Sequence, residues 1–290
     1  MSPAEARVTV EVVNRARVRI VGGGQKGLKP FIKWAGGKRW LLSNPNFSLP
    51  KFSGRYIEPF LGGGAVFFHL APSQAILCDV NERLIATYRS IRDEWQLVQA
   101  GLSDFQEKHS KEFYYEERAR QHSASHLRAA QFLYLNRTCF NGLYRENLKG
   151  EFNVPIGTKT QVVLPEDDFE KASKLLASAD LRGGDFEAVV AEASEGDLVF
   201  VDPPYTTAHN VNGFIKYNQK IFTWDDQKRL MDAIARAKRR GAQIVLTNAD
   251  HESIHALYAD LGTPMVVSRP SVIAGSVGSR RDTTETLFVF

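Results

Sequence analysis

Short apolar runs alternate with helical stretches along most of this chain, the texture expected of an α/β domain. Tyr56 to Phe60 (YIEPF) and Ala75 to Asp79 (AILCD) read as the first two strands, with a helix from about Ala65 to Leu70 between them. Leu198 to Val201, Ile244 to Thr247, Met265 to Val267 and Thr286 to Phe290 read as further buried strands. The middle, from about Leu84 to Ala177, differs: long charged helical segments such as DEWQLVQAGLSDFQEKHSKEF precede the loop NRTCFNGLYRENLKGEFNVPIG. The pattern predicts a mostly helical insertion, residues 91–177, between the two parts of one domain, 29–90 and 178–290. Ahead of it, Val8, Val10 and Val12, then Ala16, Val18 and Ile20, alternate as a strand or short hairpin that ends in Gly22 to Gly24. Residues 1–28 therefore read as an extension on a flexible linker.

Length and composition narrow the class. The 290 residues suit one large domain or a core domain with an insertion, and 43% hydrophobic with 24% charged residues exclude a disordered, collagen-like or disulfide-stapled chain. No stretch approaches the ~18 apolar residues of a membrane span, and the first twenty residues lack a secretory run, so the expectation is a soluble cytoplasmic protein without a membrane partner. Cys78 and Cys139 are too few for a disulfide framework.

The net charge of +4 permits an acidic partner, and its distribution says more. The whole excess lies in residues 1–30, where Arg7, Arg15, Arg17, Arg19, Lys26 and Lys29 face only Glu5 and Glu11. Two local basic stretches remain: Lys33, Lys38, Arg39, Lys51 and Arg55 with no acid between them, and Arg137, Arg145, Lys149 and Lys159 against Glu146 and Glu151. A charge run is more often a solvated face than a nucleic-acid contact. Lys238 to Gly241 (KRRG) reads as the basic, glycine-capped end of a helix.

Candidate chemistry sits at the strand ends. YIEPF runs into Leu61, Gly62, Gly63 and Gly64 before a helix, which lets a ligand approach backbone and helix N-terminus closely. Asp79 ends the next strand, near the roughly 20-residue offset at which an acid reaches a ribose hydroxyl. A helix-packing glycine turn and a strand-ending acid would account for the same residues. Asp202, Pro203, Pro204 and Tyr205 follow the apolar strand Leu198 to Val201. The prolines remove two amide donors and stiffen the chain, leaving the carboxylate and the Pro203 carbonyl as acceptors for the hydrogens of an amine. Two such acceptors would favour the pyramidal, nucleophilic form of a nucleobase amine, and Tyr205 would offer it a stacking face.

Five segments in this order resemble Dam-type DNA adenine-N6 methyltransferases, the D12 or alpha group: FIKWAGGKR (Phe31 to Arg39), EPFLGGG (Glu58 to Gly64), DVN (Asp79 to Asn81), LNRTCFNGLYRENLKGEFNVPIG (Leu135 to Gly157) and DPPY (Asp202 to Tyr205). The resemblance spans roughly residues 29 to 290. It implies a Rossmann-like S-adenosylmethionine-dependent methyltransferase sheet carrying a DNA-recognition insertion. It implies that Trp34, Ala35 and Lys38 line the cofactor site, that Glu58, Pro59, Phe60, Gly62 and Gly64 form the methionine-side loop, and that Asp79 binds the ribose. Asp185 and Phe186 match the segment that holds the cofactor adenine, and Asp202 to Tyr205 would hold the target adenine, with Asp202 also at the cofactor. Lys33, Arg137, Phe140, Asn141, Leu143, Arg145 and Pro155 match the segments that touch DNA; Arg145 would pair with guanine O6 and N7 and Phe140 would wedge between bases. Arg269, Arg280 or Arg281 and Glu285 resemble the closing pattern, as phosphate contacts or structural ion pairs. The target adenine would be flipped out of duplex DNA, within GATC or a related short site, without a metal. A monomer is expected, with a cognate restriction endonuclease encoded elsewhere as the further partner. The sequence departs from the pattern after DPPY, where TTAHNVNGFIKYNQKIF, with His209, Asn210, Asn212 and Tyr217, reads as a loop over the site.

Rival readings are weaker. His251, Glu252 and His255 spell HExxH, which on a helix would set two imidazoles on one face for zinc, but no third ligand accompanies them. HSASH at His122 to His126 reads as part of an exposed helix. Cytosine-C5 methylation needs a thiolate in a Pro-Cys context, which neither cysteine offers. Transfer to cytosine N4 or a glutamine amide could use similar acceptors, and Asp202 favours adenine. An inactive DNA-binding relative would not need Lys38, Asp79 and Asp202 together.

Overall fold

The computed structural model describes residues 27–44, 47–147, 149–208, 222–269 and 283–290. The expected extension, apart from its last two residues, lies outside that set, as do Arg280 and most of the loop after Tyr205. In chain order the elements are α1 (Arg39–Leu42), β1 (Tyr56–Glu58), α2 (Ala65–Leu70), β2 (Ala75–Asp79), α3 (Glu82–Lys108), α4 (Lys111–Ala119), α5 (Ser125–Thr138), a short 3-10 turn (Phe140–Gly142), α6 (Phe169–Leu176), β3 (Ala179–Gly183), α7 (Phe186–Ala191), β4 (Leu198–Val201), α8 (Trp224–Arg239), β5 (Gln243–Ala249), α9 (Glu252–Tyr258), β6 (Met265–Arg269) and β7 (Thr283–Val289).

The strands form one sheet in the order β3-β2-β1-β4-β5-β7-β6. The first five run parallel, and β7 pairs antiparallel with both β5 and β6. The chain starts at the centre, steps outward through β2 and β3, then returns to the other side of β1 as β4. β1 and β4 are therefore neighbours whose continuations diverge, the switch point at which an open α/β sheet leaves a crevice beyond its strand ends. The architecture is Rossmann-like.

Alternation along the strands divides the core in two. In β4, Leu198 and Phe200 join a cluster with residues of α2, α3, α5 and α6, whereas Val199 and Val201 join one with α7, α8 and α9. Both faces of the central strands are covered, which is why these strands read in the sequence as continuous apolar runs. β2 and β4 have the expected bounds. β1 stops two residues early because Pro59 lacks an amide to continue the ladder, and the chain turns there, with Leu61 N donating to Cys78 O at 2.8 Å.

β3 (ADLRG) was not anticipated. It is an edge strand with only Ala179 and Leu181 buried, while Asp180 and Arg182 pair with each other at the sheet border. The helical middle is as expected in type. α3 runs through the expected boundary at residue 91 and is interrupted at Glu94 (φ −146°, ψ 37°). Before that break Leu84, Ile85 and Tyr88 sit in the core; beyond it Gly101 lies close against Ala130 of α5, and Phe105 meets Tyr134 edge-on at 5.5 Å. No helix among the described residues is long and apolar enough to cross a membrane.

Candidate active site

The segments after β1 and β4 meet at the switch point. After β1, Gly62 (φ +48°) and Gly64 (φ +63°) hold left-handed conformations that a side chain would strain, and a methyl group at Gly62 would lie 2.7 Å from Trp34 Cδ1. Three bonds brace the turn. Gly62 N donates to Asp79 Oδ2 at 2.9 Å, Asn81 N donates to Asp79 Oδ1 at 2.9 Å, and the Tyr88 hydroxyl donates to Gly62 O at 2.9 Å. Asp79 thus ties the end of β2 to the glycine turn. Burial raises its pKa, and the two backbone amides oppose that shift. Glu58, buried at the end of β1, accepts the Tyr56 hydroxyl at 2.9 Å; burial holds its pKa well above the usual range, Tyr56 counters, and Asp202 pushes it further up. Pro59 is buried, Phe60 half-buried and Ala35 exposed.

After β4, Asp202 is held at both oxygens. Lys38 Nζ lies 2.8 Å from Oδ2, and the Thr247 hydroxyl donates to Oδ1 at 2.7 Å. The same ammonium donates to Gly36 O at 2.6 Å, lies 3.7 Å from Glu285 Oε2, and sits 5.2 Å from the centre of the Tyr205 ring. The Tyr205 hydroxyl donates to Glu285 Oε2 at 2.6 Å. Burial raises the Tyr205 pKa, with the Asp202 and Glu285 charges adding to it, so the phenol stays protonated and able to donate. Lys38 thus stands between two carboxyl groups beside a polarisable ring. Pro203 is buried and Pro204 exposed.

Thr247 was missed in the sequence. β4 and β5 pair in the register Val201 with Leu246, so the next residue of each strand, Asp202 and Thr247, lie side by side. A polar residue closing the apolar run Ile244 to Thr247 was the available signal. Glu285 had been singled out only as part of the closing pattern; its pairing with Ala249 across β5 and β7 brings it to the centre of the site.

Asp185 and Phe186 are only loosely joined to this cluster. Asp185 caps α7 by accepting Glu187 N at 2.9 Å and pairs with Arg229 at 2.9 Å. Phe186 is buried and stacks on Phe60 at 5.3 Å, which connects it to the loop after β1.

The expected DNA-contacting residues separate. Arg137, assigned to DNA, is buried at 7% exposure; its guanidinium grips Asp167 with two bonds of 2.7 Å and donates to Val162 O and Phe31 O. That assignment is corrected: Arg137 pins the loop 158–167 to the segment before α1. The others stay near the surface. Phe140 is 55% and Leu143 43% exposed, Pro155 is exposed, and Asn141 holds a positive φ of 57° with its carbonyl capped by Lys33 Nζ. Lys33 is fixed further by a reciprocal pair with the Asn136 amide, at 3.0 and 2.8 Å. Burial and the nearby Lys159 lower its pKa. Arg145 Nε donates to Asn153 Oδ1 at 2.8 Å across a hairpin-like loop whose turn is held by Asn147 Oδ1 on Lys149 N and Glu151 N. The two basic stretches meet here: Lys33, Arg39 and Lys159 line one cleft of about 750 Å³ with Trp34 and Asn136. Arg269 ends β6, the edge strand beyond β7.

Several rivals resolve structurally. α9 begins after His251, which caps it, so the two histidines of HExxH do not share one helix; His255 instead contacts Thr286 at 2.8 Å and Asp250 at 3.1 Å. His122 binds the buried Glu117. Lys238 and Arg240 reach beyond helix α8 and donate to the carbonyls of Leu261, Ala193 and Val190, while Gly241 (φ +90°) follows the helix end. Burial pushes Cys78 up to about 12 and Cys139 up to about 11, the reverse of an activated thiolate.

Residues 34–272 match the family described as D12 class N6 adenine-specific DNA methyltransferase. The chain belongs to that family. It is 38% identical over 242 residues to the type II methyltransferase M1.LlaDCHI of Lactococcus lactis subsp. cremoris, covering 80% of this chain and 85% of that one. It is 38% identical over 244 residues to the type II methyltransferase M.MjaIII of Methanocaldococcus jannaschii, covering 77% and 84%. The DNA adenine methylase of Escherichia coli K12 is 32% identical over 268 residues, covering 90% and 95%. The protein is therefore an adenine-specific DNA methyltransferase, with DNA as substrate.

Proposed function

We propose that the Asp202 to Tyr205 segment receives a flipped adenine and that the loop after β1 holds S-adenosylmethionine against it. The observation that carries this reading is the Asp202 carboxylate fixed by Lys38 and Thr247 beside the Tyr205 ring, at the switch point of the sheet. The residues fit the cofactor: the turn at Gly62 and Gly64 admits close backbone approach, and Asp79 braces it from the next strand. S-adenosylmethionine supplies an electrophilic methyl group.

The chain's own part is positioning and oriented acceptors. Asp202 and the Pro203 carbonyl accept the two N6 hydrogens, so the nitrogen lone pair turns out of the ring plane toward the methyl carbon. Methylation of N6 would release one of its two protons, for which Asp202 would be the acceptor in reach. Tyr205 stacks on the base. Phe140 and Leu143, exposed on the recognition loop, enter the duplex, and Arg145 reads a guanine. Lys33, Arg39 and Lys159 face phosphate.

We further propose residues 91–177 as the recognition insertion and GATC or a related short site as the target. The type II names of two relatives support a place beside a restriction endonuclease, and the protein works as a monomer in the cytoplasm.

Methyl transfer from labelled S-adenosylmethionine to unmethylated DNA in EDTA, followed by nucleoside analysis and site mapping, tests the reading. N6-methyladenine at one short sequence is expected. Transfer lost in EDTA, or spread over adenines without sequence preference, would overturn it.

A further inference from the structure

The side chain of an aspartate ends in a soft, two-fold rotor, so a carboxylate that must present one oxygen to an amine needs its rotation fixed from outside. In this protein the fixing group on Oδ1 is the Thr247 hydroxyl at 2.7 Å, and on Oδ2 it is Lys38 at 2.8 Å. The Tyr205 ring has the same need, since its tilt sets the plane in which a base can stack. Its hydroxyl is tied at 2.6 Å to Glu285, which is buried and also faces Lys38 at 3.7 Å.

Both outside groups come from one antiparallel pair. Thr247 stands opposite Leu287 and Ala249 opposite Glu285 in the β5–β7 register. A slip by one residue would turn Glu285 to the other face of the sheet, where Phe288 packs against Tyr258. The antiparallel strand is thus what brings a carboxylate to the phenol.

We infer that Thr247 and Glu285 are positioning residues for methyl transfer: Thr247 sets the rotation of the Asp202 carboxylate, and Glu285 sets the Tyr205 ring and the Lys38 ammonium between them. The inference rests on Asp202 and Tyr205 holding the target amine. Neither positioning residue needs to touch cofactor or base, so their loss slows transfer without weakening the binding of either.

The test compares Thr247→Val, which keeps shape and loses the hydroxyl, with Thr247→Ser, which keeps the hydroxyl. Glu285→Gln, which retains an oxygen for Tyr205, is compared with Glu285→Ala. Single-turnover transfer at saturating S-adenosylmethionine and DNA is measured beside cofactor affinity and the fluorescence of DNA carrying 2-aminopurine at the target position. Thr247→Val is expected to slow transfer on the order of 10- to 100-fold with cofactor affinity and the flipping signal unchanged, and Thr247→Ser to recover most of the rate. Glu285→Ala should slow it more than Glu285→Gln. Equal rates for Thr247→Val and the parent, equal losses for Val and Ser, or a parallel loss of cofactor affinity would overturn the inference. Asp202→Ala separates the layers: if it is inactive while Thr247→Val matches the parent, only this inference fails, and if it transfers methyl groups, the assignment of Asp202 fails with it.

Discussion

Trp34 lies stacked on Tyr144, their centroids 5.4 Å apart and their planes 26° from parallel. One ring belongs to the segment that backs the glycine turn, where Trp34 leaves no room for a methyl at Gly62. The other belongs to the proposed recognition loop, immediately before Arg145, and its hydroxyl contacts Glu146, which pairs with Arg83 at 3.5 Å. The turn proposed to hold the cofactor and the loop proposed to read DNA are therefore joined through aromatic contacts of Trp34.

Tyr144→Ala should loosen both sides together. Loss of the ring removes the stack with Trp34 and the contact with Phe132 at 4.9 Å, with an expected cost of about 3 kcal/mol in stability. Tyr144→Phe keeps both stacks and should lose about 1 kcal/mol or less. Titration of S-adenosylmethionine with and without DNA reads the coupling: it should fall for Ala and persist for Phe, and unchanged coupling in Tyr144→Ala would show that the stack carries none.

Gly62→Ala meets two obstacles at once, a positive φ and the Trp34 ring 2.7 Å away. The backbone term alone is about 1–2 kcal/mol. A lowered urea midpoint and a cofactor affinity weakened at least tenfold are expected. Unaltered affinity would place the cofactor elsewhere than on this turn.

Arg137 and Arg145 should part company. Arg137→Ala leaves Asp167 buried without its partner, and breaking such a pair costs about 3–5 kcal/mol. Arg145→Ala should leave the urea midpoint nearly unchanged but relax preference at one guanine by about 1–3 kcal/mol. Urea unfolding together with methylation of singly substituted sites separates the two, and uniform weakening on all sites by Arg145→Ala would make it a phosphate contact.

Those two arginines also show what a sequence carries. β2 and β4 were legible because burial on both faces writes itself as an apolar run, and the glycine turn and Asp202 to Tyr205 were legible in position because each directly follows such a strand. Arg137 was not legible: its partner Asp167 lies thirty residues on, and nothing local distinguishes a guanidinium clamped inside the fold from one facing DNA. Thr247 needed the register of β4 on β5, and β3 had only two buried side chains to announce it.

Acid should act through Asp197. Burial alone would raise its pKa, but hydrogen bonds from the Arg55 side chain and from the amides of Arg55 and Ser194 outweigh it and hold the pKa below the usual value. A depressed folded-state pKa stabilises above the unfolded value of about 3.9, and that contribution is lost as pH falls through the folded one. Asp197→Asn should therefore be less stable than the parent at pH 7, with the gap closing below about pH 4. Urea midpoints across that range check it, and a gap independent of pH would show that charge is not the cause.

The bond between Tyr205 and Glu285 spans 80 residues of chain, and Lys38 stands before both. During synthesis the glycine turn and the DPPY segment leave the ribosome well before β7 does. A nascent chain can in this way display the five segments from FIKWAGGKR to DPPY while lacking the strand that ties Tyr205, so the cluster around Lys38 is complete only once β7 has joined the sheet.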